Sequence, residues 1–298
     1  MIIDQASYDS YKSMDHNLIV NILETSVSVY DVSAPTPRQI DRVRFKNPSV
    51  ACFSPSNQLL GVRDTSGRIL VYDLKKQEII VKQKQVKTEE GSDLYFLDEN
   101  TLFFSDWAGK VYIFSIFPPT LKTIYDFKDR HMNVSSLVKT QDNQWTLFGY
   151  VGDGYNDSIK TEIYLLNLDN GTLKKELLQR FSQDIYTLSY SEDSNHNIYF
   201  TAEEEDKIYF FNVENKSIKV FTTLDMEEDL GSAIRLVLSP FSPHLAVVFD
   251  PEVRIYHLKT KEVFFTFKGK SLMNLQFLTN NRIWIGSESK IYILDLPV

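Results

Sequence analysis

Apolar residues come in short runs along this chain, and turn chemistry cuts off each run. Residues 50–74, VACFSPSNQLLGVRDTSGRILVYDL, show the pattern. Val50 to Phe53, Leu59 to Val62 and Ile69 to Leu74 are separated by Ser54-Pro55 and by Asp64-Thr65-Ser66-Gly67. Runs of four to six residues fit strands and are too short for helices. Proline removes a ladder donor and glycine permits positive φ, so both breaks predict turns. The stretch therefore predicts an antiparallel meander.

The third run ends in a tetrapeptide that recurs: VYDV at 29–32, VYDL at 71–74, IFSI at 113–116, LLNL at 165–168, FFNV at 210–213, IYHL at 255–258 and ILDL at 293–296. Their second residues are 42, 42, 52, 45, 45 and 38 positions apart. The flanking runs recur in phase. Asp106-x-x-Gly109 repeats Asp64-x-x-Gly67, and Ser239-Pro240 repeats Ser54-Pro55. A fourth apolar run follows most tetrapeptides, as in EIIVKQKQV, TLKTIYDF, SIKVFTTL and EVFFTF. Four strands per unit of 40–45 residues predict blades of a β-propeller.

The pattern V-x-x-F-S-P…L-L-G-V-x-D-x-x-G-x-I-x-V-Y-D-L resembles the WD-repeat superfamily, with Tyr-Asp in place of Trp-Asp. The likeness extends over nearly the whole chain and implies a divergent member. The Gly-His dipeptide is missing from every unit, and only His131 stands where that histidine would be. The expectation is one all-β domain over residues 1–298, a seven-bladed propeller of four-stranded antiparallel blades. The last unit lacks its fourth strand. In WD-repeat propellers the N-terminal segment supplies it, so Ile2 and Ile3 are expected as the outer strand of the seventh blade, closing the ring.

The resemblance also sorts the loops. Second-to-third and fourth-to-first strand loops lie on one face, the top. Here these include KTEEGSD, DWAG, AEEED, DMEEDLGSA and FDPE. The bottom third-to-fourth loops carry Lys75, Lys76, Lys122, Lys174, Lys175, Lys216, Lys259 and Lys261. An acidic top face would steer a basic partner. The partner-binding candidates are Arg63, Asp106, Trp107, Arg130, Tyr155, Glu204, Glu228 and Arg235. Trp107 sits in a tight top turn and is a candidate hot spot. Tyr155 lies in the longest loop, 149–160, where Asp153-x-x-Asn156-Asp157 lacks the spacing of a calcium loop.

Composition narrows the function classes. The 298 residues carry a net charge of −8, which argues against a nucleic-acid groove while leaving room for a local basic patch. With the single cysteine, Cys52, no internal disulfide can form, in keeping with a reducing compartment. No signal peptide and no membrane-length apolar run are visible. The five histidines have no metal-ligand spacing, and no nucleophile elbow, HExxH or phosphate loop occurs. The expected protein is a monomeric cytoplasmic interaction module. It would bind a protein or peptide, a basic one on the acidic face, and neither nucleic acid nor membrane. No catalytic residue, metal or cofactor is expected. The alternative is a propeller lactonase-type hydrolase, with acid–base residues at the top channel mouth.

Overall fold

The computed structural model describes residues 1–83, 88–91, 93–127, 132–142, 144–151, 158–169, 172–202, 206–224 and 233–297. His131, Arg130, Tyr155, Glu204 and Glu228 lie outside these described residues. Strand β1 (Ile2–Ile3) belongs to the last sheet. The first sheet holds β2 (Asp9–Lys12), β3 (Leu18–Ile22), β4 (Ser26–Asp31) and β5 (Arg38–Arg44). The second holds β6 (Pro48–Phe53), β7 (Leu59–Asp64), β8 (Ile69–Asp73) and β9 (Glu78–Gln83). The third holds β10 (Tyr95–Asp98), β11 (Thr101–Ser105), β12 (Lys110–Ser115) and β13 (Thr120–Asp126). The fourth holds β14 (Met132–Lys139), β15 (Trp145–Val151), β16 (Thr161–Asp169) and β17 (Thr172–Phe181). The fifth holds β18 (Ile185–Leu188), β19 (Asn197–Ala202), β20 (Lys207–Asn212) and β21 (Ser217–Thr223). The sixth holds β22 (Arg235–Leu238), β23 (His244–Val248), β24 (Glu252–His257) and β25 (Val263–Lys268). In the seventh, β26 (Leu272–Thr279), β27 (Arg282–Ser287) and β28 (Ile291–Asp295) are joined by β1.

Seven four-stranded blades make this a β-propeller fold, with no helix among the described residues. Among the described residues no helix is long and apolar enough to cross a membrane. All seven repeated tetrapeptides start on the third strand of their blade, as their phase predicts. Their second residues Tyr30, Tyr72, Phe114, Leu166, Phe211 and Tyr256 are buried, and Leu294 is half-buried. β1 runs antiparallel to β28, with Ile2 opposite Tyr292 and Ile3 opposite Ile291. The N-terminal strand thus completes the seventh blade.

Contacts divide the chain into two compact units. One comprises Met1–Ser7, Leu137–Leu168 and Lys174–Val298, and the other Tyr8–Ser136 and Asp169–Leu173. Within the second unit, Val27, Val29 and Val43 of the first sheet pack against Ala51, Leu60 and Val62 of the second. The other face of the second sheet gives Ile69 and Val71 to Leu102, Phe104 and Phe114 of the third. Period-two alternation sends neighbouring residues of a strand into different interfaces. In the first unit the same logic stacks Phe148 with Phe200 and Phe211, Tyr199 with Leu236 and Leu245, and Val253 with Leu275 and Ile285.

The turns follow the chemistry of their residues. Gly67 and Gly109 have φ of 73° and 89°, and their N–H groups donate to Asp64 O and Asp106 O. Glycine enters that region without the Cβ penalty other residues meet. The Ser54-Pro55 turn closes through Asn57, whose φ is 60° and whose N–H donates to Ser54 O.

One half-buried lysine in the first sheet was not legible in the chain. Burial pulls the Lys12 ammonium down to about 7, against the attraction of Asp15. An unfolded lysine titrates near 10.4. Between about pH 7 and pH 9 the unfolded chain holds a proton there that the folded chain lacks, so this lysine makes stability rise with pH. Near pH 10 tyrosines work the other way, for example Tyr72, whose hydroxyl is pushed up to about 12 by burial and by Asp41. Urea denaturation at pH 7 and pH 9 should show that gain in the wild type and its loss in Lys12→Met. An equal pH response in both proteins would remove Lys12 as the cause.

Candidate functional site

Three sequence candidates meet in the second unit, and Arg63 is the centre of the arrangement. It stands near the end of β7, a strand buried at every position, and its own exposure is 0%. Its guanidinium reaches the third blade. Nη1 donates to Ser105 O and, at 3.4 Å, to Asp93 O. Nη2 donates to Glu89 O at 2.6 Å and to Thr88 Oγ1 at 3.3 Å. The Phe104 ring lies beneath, 5.0 Å from Cζ to the centroid. Burial pulls the guanidinium below its ordinary range, while the charges of Asp93 and Asp106 oppose that shift.

Both carboxylates are themselves enclosed. Asp93 accepts the Ser105 N–H and the Ser105 hydroxyl, each at 2.7 Å. Asp106 accepts the Lys110 N–H at 2.9 Å and the Tyr112 hydroxyl at 2.7 Å. Burial and the neighbouring Asp106 push the Tyr112 hydroxyl well up from its usual range. Thr88 ties the Gly67 turn to Arg63: its hydroxyl donates to Gly67 O at 2.9 Å and accepts from Arg63. A Cβ on Gly91 would lie 2.4 Å from Ser105 O and 2.5 Å from Arg63 Nη1, so only glycine fits there.

On this fastened frame sits Trp107. Its backbone N–H donates to Glu90 O at 2.8 Å, which ties the β11–β12 turn to the segment before β10. Its side chain is 47% exposed. Glu89 is exposed and Glu90 half-buried beside it. The structure thus brings Arg63, Asp106 and Trp107 together. Arg63 and Asp106 hold the turn from inside, and Trp107 carries its surface.

Arg235 lies elsewhere, in the first unit. It begins β22, is 9% exposed, and places Cζ 5.1 Å from the centroid of the Tyr190 ring. Tyr186, Tyr190 and Ile234 leave exposed surface near it. The Thr187 hydroxyl donates to Ala233 O at 2.8 Å, which holds β18 beside the start of β22.

Sorting charge by loop overstated the acidic face. Asp93, Asp106 and Glu252 are buried, because turn N–H groups and neighbouring cations need a carboxylate there. Glu252 serves Arg254 and Lys268. Glu89, Asp206 and Asp250 are exposed, while 203–205 and 227–229 lie outside the described residues. On the lysine side, Lys76 pairs with Asp73 at 3.5 Å and Lys216 pairs with Glu176, so part of that charge is neutralised locally. Burial pushes the Cys52 thiol up, which keeps it protonated.

The residues missed from the sequence are Thr88, Gly91 and Tyr112, while Asp93, counted there as charge of the acidic face, is a buried acceptor. One signal was available for Tyr112, an aspartate six residues before a tyrosine on the next strand. The same spacing recurs at Asp193 and Tyr199, where the hydroxyl donates to the carboxylate at 2.8 Å. Among the described residues no group of three or more His, Cys, Asp and Glu could hold a metal ion. Compared with models of protein families and with curated protein sequences, the chain matches none of them.

Proposed function

We propose that this propeller is a non-catalytic interaction module of the WD-repeat kind, which docks a protein or peptide on the loop face that carries Trp107. One observation carries the reading. A large aromatic side chain is left half exposed on a turn whose backbone and carboxylate groups are fastened from within. Little conformational entropy remains for a partner to remove at such a residue, and aromatic anchors of this kind dominate interface energetics. Glu89 and Glu90 beside the indole favour a basic partner, and the sequence expectation adds Glu204 and Glu228, which lie outside the described residues. A cytoplasmic, monomeric protein fits this role and the protonated Cys52 thiol.

Trp107→Ala separates the surface role from a packing role. Binding of a basic peptide library should weaken roughly tenfold or more, while the thermal midpoint stays within about 1 °C, since an exposed side chain contributes little to folding. Glu204→Lys with Glu228→Lys should slow association at low salt, whereas Lys75→Glu with Lys175→Glu should leave it nearly unchanged. Undiminished binding by Trp107→Ala, or equal effects of the two charge reversals, would move the docking face elsewhere.

A further inference from the structure

The first sheet carries a basic cleft that the acidic docking face does not account for. β4 and β5 pair Ser26 with Arg44 and Ser28 with Arg42. Opposed residues on paired strands share a face. Ser26, Ser28, Arg42 and Arg44 therefore project to one side, while Val27 and Val43 project to the other and are buried. Thr25 precedes Ser26 in the turn between β3 and β4. Thr25, Ser26, Arg42 and Arg44 line a cleft of about 440 Å³, within the range that takes a small ligand. Arg42 Nε donates to Ser26 Oγ at 3.1 Å, which fixes one guanidinium at the wall and leaves the Ser26 hydroxyl hydrogen available as a donor.

The charge partners of the arginines single this pair out. Arg38, Arg68, Arg180, Arg254 and Arg282 each meet a carboxylate. Arg63 is held by carbonyl oxygens, and Arg235 lies over Tyr190. Among the described residues, neither the Arg42 nor the Arg44 guanidinium pairs with a carboxylate; the Asp41 carboxylate accepts the Arg42 backbone N–H and the Tyr72 hydroxyl instead. In a chain with 40 acidic residues against 32 Lys and Arg, two neighbouring guanidinium groups that pair with none of the described carboxylates mark a place for an external anion.

We propose that this cleft binds a phosphomonoester group. Two guanidinium forks and two hydroxyls offer enough donors for three oxygens of a dianion, whereas a carboxylate is satisfied by one fork. The net charge of −8 repels extended polyanions, so the site suits a single phosphate on a small carrier or on a peptide side chain.

The probes are O-phosphoserine, serine and inorganic phosphate, followed by one peptide library in phosphoserine and serine forms. O-phosphoserine should bind and serine should not. Affinity should rise as the second phosphate proton leaves near pH 6 and should fall with salt. Arg42→Ala and Arg44→Ala should each weaken binding about tenfold or more, with thermal midpoints unchanged. Arg44→Lys keeps the charge without the fork and should fall between. Tighter binding of the phosphopeptides than of O-phosphoserine would assign a phosphorylated partner; equal affinity would assign a free phosphomonoester. The site is overturned if phosphate compounds bind no better than serine, or if the Arg42→Ala, Arg44→Ala double variant binds as the wild type does. Trp107→Ala should leave O-phosphoserine affinity unchanged, so failure of the docking surface and failure of this cleft are distinguishable.

Discussion

Removing residues 1–7 is expected to destabilise the fold by about 5 kcal/mol, a large share of a typical domain's 5–15 kcal/mol. Met1 and Ile293 exchange two backbone hydrogen bonds of 2.8 Å. The Ser7 N–H donates to Ser287 O at 2.8 Å, and the Asn274 amide donates to Ser7 O at 2.8 Å and to Ser7 Oγ at 3.1 Å. Ser7 and Asn274 are both fully buried, so these bonds are made where water cannot replace them. Loss of β1 also turns β28 into an open edge, a template for pairing with a second molecule. Urea denaturation and size-exclusion chromatography should show a lower midpoint and higher oligomers. Gly286→Ala should reproduce part of the loss, because its Cβ would lie 2.4 Å from both Asn274 Nδ2 and Ser7 Oγ. A truncated protein that stays monomeric with a wild-type midpoint would show that β1 is dispensable.

The elements legible in the chain are those whose signal is local and periodic. The tetrapeptides mark third strands because their apolar positions recur in phase with the blade, and Asp-x-x-Gly marks the turns because glycine takes positive φ without a Cβ penalty. The place of Ile2 and Ile3 in the outer strand of the seventh blade was legible through the resemblance to WD-repeat propellers, though their register against Tyr292 and Ile291 was not. Arg63 shows where this fails. In LLGVRD it stands at a strand end, and nothing local tells a buried clamp from a surface contact. Its partners are carbonyl oxygens of residues 89, 93 and 105, which carry no residue identity for a sequence to display. The burial of Asp93, Asp106 and Glu252 was hidden for a related reason. Charge alone does not say whether a carboxylate faces water, as Glu89 does, or accepts turn N–H groups, as Asp106 does. Arg42 and Arg44 alternate with Val43 and Phe45, so their shared face was visible in RVRFK, but the absence of a carboxylate opposite them was not.

Arg63→Met is expected to be the most damaging single change in the second unit. The methionine would keep much of the side chain's bulk and remove its donors, leaving Ser105 O and Glu89 O short of a partner in the interior. Asp93 and Asp106 would lose the cation that faces them. Removing one side of a buried, charge-compensated network costs about 3–5 kcal/mol, which lowers a melting midpoint by roughly 10 °C in a protein of this size. Arg63→Lys should recover only a fraction, since one ammonium cannot span carbonyls that the two ends of a guanidinium reach. Gly91→Ala should act on the same network from outside, by pressing a methyl group into Ser105 O and Arg63 Nη1. The consequence for binding separates holding from touching. Arg63 has no exposed surface, yet the turn it fastens carries Trp107. Arg63→Met should therefore weaken peptide binding together with stability, whereas Trp107→Ala should weaken binding alone. Thermal denaturation and peptide titration on the two variants check this, and an Arg63→Met protein with a wild-type midpoint would show that the buried guanidinium is not what holds the turn.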